Sequence, residues 1–133
     1  MNFYIVFCKT RKKFDKFIKI NRIRNKVIVD IKEIKNEENI IINNKNKDYF
    51  NLMIYTKISH AMQKGKSIYY IPDFTNKDID VKQVYSVKNV FNDFDFEFNA
   101  LVFFKEFIND NNIKDDIFDN LDLFDNSQLI EDY

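Results

Sequence analysis

Three groups of side chains in this chain have types and spacings that suit chemistry. Asp30-Ile31-Lys32 and Glu33-Ile34-Lys35 each set a lysine two residues after a carboxylate, and Pro72-Asp73 supplies another acid. Converging carboxylates can hold a hard divalent cation, and a lysine beside them can offset developing negative charge. Asp93, Asp95 and Glu97 alternate in "DFDFEF", which puts all three on one face of a strand and offers a second seat for such a cation. The third group is one histidine, His60, and one distant cysteine, Cys8. They cannot together build a zinc site, and no serine stands in a nucleophile-elbow context.

The acid-x-Lys spacing resembles half of a restriction-type nuclease site, in which a Pro-Asp pair comes first; here Pro72-Asp73 comes after. Strand alternation by itself produces the Asp93, Asp95, Glu97 row, and charges on an exposed strand face discourage sheet-to-sheet aggregation. A phosphate-binding loop is absent. Such loops need glycines so that successive amides can approach the phosphates, and the only glycine is Gly65. "KGKSIYYI" superficially resembles the aromatic strand of RNA-recognition domains, but Lys66, Ser67 and Ile68 break that pattern. No catalytic residue, metal or cofactor is therefore expected. A nucleic-acid- or nucleotide-processing α/β enzyme with degenerate motifs stands as the alternative; on element order alone it could be a lapsed nucleotide-kinase-like domain.

Charge is divided along the chain although it sums to zero. Residues 1–35 carry eleven basic and three acidic side chains, whereas residues 93–133 carry two and twelve. Such a division suits two oppositely charged partners, or one end folded against the other. In the basic part, Lys12, Lys16 and Lys19 form a stripe on one face of a helix expected over 12–24, and are candidates for anion or nucleic-acid contact. The single cysteine points to a reducing compartment, the short apolar run "FYIVFC" cannot span a membrane, and a cytoplasmic location with no membrane partner is expected.

The elements that would position these residues are legible in outline. Strands are expected at 2–8, 26–34, 67–71 and 94–98, with helices over 12–24, 48–64, 75–92 and from Asn99 to about residue 111. Asp48 is the expected N-cap and Gly65 the expected terminator of the clearest helix, whose apolar stripe is Phe50, Met53, Ile54, Ile58, Ala61 and Met62. The order βαβαβαβα predicts a single small α/β domain: a mainly parallel four-stranded sheet with packed helices and an acidic C-terminal segment. The division drawn is a domain over 1–111 and an acidic amphipathic segment over 112–133, docked or partner-binding.

That segment breaks the chain's habits. Of five leucines against nineteen isoleucines, Leu121, Leu123 and Leu129 fall within the last fifteen residues, among carboxylates and with no lysine or arginine. Asn120-Leu121-Asp122-Leu123-Phe124 resembles the Gln-Leu-Ser/Asp-Leu-Phe peptide by which bacterial and phage proteins hold the replicative sliding clamp. The resemblance covers five residues and departs at Asn120. It implies that Leu123 and Phe124 fill a hydrophobic pocket, with Leu121 alongside and Asp122 at the rim. The expected function is that of a non-enzymatic accessory protein of phage or mobile-element type. It would bind a sliding clamp or another replication or transcription component through Leu121, Asp122, Leu123 and Phe124. A structural component of a larger assembly such as a virion is the alternative within that class.

Overall fold

A computed structural model describes residues 2–8, 10–38, 47–75, 78–79, 97–103 and 126–130. Its centre is a parallel sheet of five strands, β1 (Asn2–Phe7), β2 (Lys26–Asp30), β3 (Ser67–Ile71), β6 (Glu97–Val102) and β7 (Asn126–Leu129), in the order β2-β3-β1-β6-β7. A two-residue pair, β4 (Phe74–Thr75) and β5 (Asp78–Ile79), lies apart as an antiparallel ladder. The helices are α1 (Arg11–Ile20), α2 (Ile31–Glu38) and α3 (Lys47–Gln63). The expected α/β architecture is what the structure shows, with β7 added at one edge.

Right-handed crossovers decide which face each helix covers. The chain moves one way from β1 through α1 to β2, then the other way from β2 through α2 and α3 to β3, so α1 takes one face and α2 and α3 the opposite one. Packing agrees. Phe3, Ile5 and Phe7 of β1 join Ile68, Tyr70, Phe98, Ala100 and Val102 under Ile31, Ile34, Ile54, Ile58 and Ala61. On the other face, Val6, Cys8, Tyr69, Ile71, Leu101 and Phe103 meet Phe14, Phe17 and Ile18 of α1, and Ile130 closes the same cluster. Strands buried on both faces read as unbroken apolar runs, as "FYIVF" and "IYYI" do. Aromatic rings fill the layers, with Phe3 against Phe98 at 5.3 Å and Phe17 edge-on to Phe103 at 5.5 Å between centroids.

Four sequence expectations need correction. The strand expected over 26–34 ends at Asp30, where α2 begins. The helix expected from Asn99 is instead strand β6, in parallel register with β1 from Asn2↔Glu97 to Phe7↔Val102. Buried Asn99 donates its amide to the Glu97 carbonyl at 3.0 Å rather than capping a helix. The helix expected over 75–92 does not open at Thr75, which pairs with Asp78 across β4 and β5; most of the rest of that range lies outside the described residues. Lastly, α3 begins one residue ahead of Asp48.

Two helices end in the same hydrogen-bonded turn. At the end of α1 the Arg22 N–H donates to the Lys19 carbonyl (3.2 Å) and the Ile23 N–H to the Ile18 carbonyl (3.1 Å). At the end of α3, Gly65 donates to Met62 (3.1 Å) and Lys66 to Ala61 (2.9 Å). Both are Schellman motifs, which require a left-handed residue after the cap. Gly65 supplies it with φ 65°, but in α1 the position belongs to Arg22 with φ 51°. A side chain there costs about 1 kcal/mol. Arg22→Gly should therefore stabilise the fold by about 1 kcal/mol in urea denaturation, and Gly65→Ala, whose added Cβ meets nothing within 4 Å, should cost about as much.

Candidate functional site at the carboxyl edge of the sheet

In α/β sheets the place for a ligand is outside the carboxyl ends of the strands, where successive connections leave in opposite directions. Here β1 leads toward β2, while its neighbour β3 leads past it to β6, so the reversal falls between β1 and β3. A cavity of about 330 Å³ opens there, lined by Cys8, Thr10, Arg11, Asp30, Lys32, Ile71, Pro72 and Asp73. The fold thus brings Asp73 to the same opening as Asp30 and Lys32, which lie some forty positions earlier in the chain.

Arg11 organises this opening. As the first residue of α1 it sends one guanidinium nitrogen, Nη1, to Asp30 Oδ2 and to Glu33 Oε2, each at 2.7 Å, and Nε to Asp15 Oδ1 at 2.8 Å. Its charged group also lies 5.8 Å from the centre of the Phe14 ring. Burial works against the charge, but the hydrogen bonds to Asp15, Asp30 and Glu33 outweigh it and hold the guanidinium protonated more firmly than usual. Asp30, 9 % exposed, is committed twice. While Oδ2 meets Arg11, Oδ1 accepts the N–H groups of Lys32 (3.1 Å) and Glu33 (3.3 Å) and so caps α2. The acid-x-Lys pattern is thus also a helix start, with Asp30 at the cap and Glu33 three residues on.

These commitments limit what the cavity can do. The Asp30 carboxylate has a cation on one oxygen and two amides on the other, which leaves it poorly placed to take a metal ion. Among the described residues no group of three His, Cys, Asp or Glu side chains is arranged to hold one. The Cys8 thiol is pushed from 9.0 up to about 12 by burial first, then by Asp30 and Asp15, with Arg11 opposing. It stays protonated at neutral pH and is no nucleophile. His60 lies exposed in the last turn of α3, away from the cavity lining.

Of the residues singled out from sequence, Lys12, Lys16 and Lys19 are exposed on α1, opposite its buried Phe14, Phe17 and Ile18. Leu121, Asp122, Leu123 and Phe124 lie outside the described residues, as do Asp93 and Asp95. Arg11 was not singled out as a site residue, since its partners Asp30 and Glu33 lie 19 and 22 positions away and only the fold makes them neighbours. No helix among the described residues is long and apolar enough to cross a membrane. Comparison with protein-family models, with curated proteins and with solved structures found no match.

Two outcomes follow from this geometry. Arg11→Met keeps most of the side chain's bulk but strands the nearly buried Asp30 carboxylate, and should cost about 2 kcal/mol in denaturant unfolding. Cys8 gives a signature in pH. Its proton is retained in the folded chain up to about 12 but lost near 9 once unfolded, so this contribution to stability is full below pH 9 and falls as pH rises from there toward 12. Native protein at pH 8 should accordingly resist thiol reagents, its labelling rate following the rate of unfolding.

Proposed function

We propose that this chain is a non-enzymatic accessory protein of phage or mobile-element type that works by holding another protein. The observation that carries this reading is Arg11 with its three carboxylates. In the part of an α/β fold where reacting groups normally gather, the strongest charges are spent on each other and tie α1 to β2 and α2. Residues arranged that way hold elements together.

The holding surface in this proposal is the segment Leu121, Asp122, Leu123 and Phe124, and the partner is a sliding clamp or another replication or transcription component. Its support is the likeness of "NLDLF" to clamp-binding peptides, together with what lies just beyond it. Asn126–Leu129 pairs with β6 as an edge strand, and Ile130 is buried, its N–H donating to the Val102 carbonyl at 2.7 Å. A peptide anchored two residues downstream gives up less freedom on docking than a free tail would. Within the same class, a structural part of a larger assembly such as a virion is the alternative.

The rival class, a nucleic-acid- or nucleotide-processing enzyme with degenerate motifs, has one observation in its favour: the meeting of Asp30, Lys32 and Asp73 at the cavity. A double variant distinguishes the classes. Leu123→Ala with Phe124→Ala should abolish capture by a purified bacterial clamp while leaving the thermal midpoint nearly unchanged, since anchors of this kind lose about 2 kcal/mol or more of binding on truncation. A large fall in midpoint with no clamp affinity in the wild type would mark the segment as core. Magnesium-dependent DNA cleavage that disappears in Asp73→Asn would favour the enzyme.

A further inference from the structure

We infer that the outer face of α1 and the turn after it form a phosphate-contacting surface for nucleic acid, made by Lys12, Lys16, Lys19, Arg22 and Arg24. The inference stands apart from the docking segment and survives if that reading fails. All five side chains are exposed, and none makes an ion pair among the described residues. From Thr10 to Asn25 the chain carries seven cations and one acid, Asp15, which is already bonded to Arg11. Lys26 is spent differently, donating to the Ile23 carbonyl at 3.0 Å. Among the described residues the five are therefore a cluster without a compensating acid.

Two local costs suggest that this charge is kept for a purpose other than the stability of the finished fold. The first turn of α1 holds Arg11, Lys12 and Lys13 and no acid, against the polarity of the helix, which favours carboxylates at that end. At the other end Arg22 occupies the left-handed position for which glycine is the least strained residue, as Gly65 demonstrates in the matching turn of α3. Where local preference is broken at both ends of one helix and the same kind of residue gains each time, function is the natural reason.

The kind of partner follows from what α1 lacks. A helix that binds a lipid surface needs an apolar face to sink into it. The apolar face here, Phe14, Phe17 and Ile18, is already buried on the sheet, leaving Ile20 as the exposed apolar residue of α1. What remains is a cationic row. Lys12 to Lys19 runs about 10 Å along the helix axis, a length over which one strand of a duplex presents about three phosphates. A row of lysines meets phosphates rather than base edges, so the contact inferred is with the backbone and independent of sequence.

The test is fluorescence anisotropy of full-length protein on two duplex DNAs of unrelated sequence and one RNA hairpin, from about 50 to 200 mM salt. Five phosphate contacts give a slope of log affinity against log salt of about −4.5, alike for both DNAs, and Lys12→Gln with Lys16→Gln and Lys19→Gln should reduce it to about −1.8. Arg22→Gly should weaken binding and flatten the slope by about 0.9 while raising the thermal midpoint, a combination that a purely structural role does not give. The inference is overturned by an absence of binding at about 50 mM salt, or by a wild-type slope in either variant. Retention on phosphatidylserine vesicles without retention on the nucleic acids would also overturn it, as would self-association as the only activity the lysine variant loses.

Discussion

A parallel sheet built by crossovers has no face to leave to water. β1, β3 and β6 carry apolar side chains in both directions, so each face must be roofed by helix, and this requirement governs the rest of the molecule. It fixes where α1 and α3 lie and which of their sides turn inward. It also settles what α1 has left to offer. A ten-residue helix with one apolar stripe has used that stripe once it has covered Phe103 and Tyr69, and only its charged side remains for anything else.

The same geometry converges three strand ends on one opening, and there the chain departs from the habit of its fold class. Charges that could be aimed at a ligand are aimed at one another. A guanidinium shared among three carboxylates is far better placed to fix the angle between α1 and α2 than to stabilise a reacting group, since it would have to abandon existing partners first. Tyr69, whose hydroxyl burial and then Tyr4 push up to about 12, tells a similar story on the α1 face. It stacks on Tyr4 with ring centres 4.6 Å apart, and both serve the layer beneath the helix.

How much of this was legible in the sequence depends on the range over which each signal acts. The stripe of α3 from Met53 to Met62 and its glycine stop are local patterns, and they read correctly. The parallel arrangement followed from alternation of strands and helices. Errors arose where one stretch satisfied two patterns. "DIKEIK" alternates like a strand and also opens with Asp30 and Glu33 in helix-capping positions; the hydrogen bonds from Lys32 and Glu33 to Asp30 settled it as helix. "NALVFF" fits a helix stripe, but a place beside β1, buried on both sides, favours a strand. Arg11 and the cavity had no local signal, because they depend on crossings between distant segments. The exposed lysines of α1 were visible from the start, whereas the left-handed arginine beyond them required backbone angles.

The position of β1 has a consequence for how the molecule is made. Its six residues sit in the middle of the sheet, yet its partners are Ile68 on one side and Phe98 on the other, counted from Phe3. Contacts so distant along the chain slow folding, because loop closure must precede any gain from pairing. During synthesis at 5–20 residues per second, Phe3 waits roughly 5–20 s before Phe98 exists. Both edges of "FYIVF" are open until Ile68 is made and one stays open until Phe98 follows, which makes it the kind of apolar segment that aggregates. The lysines and arginines that follow at once, from Lys9 through Lys16, set charge directly beside that segment, the arrangement by which natural sequences keep an adhesive strand solvated until its partners arrive.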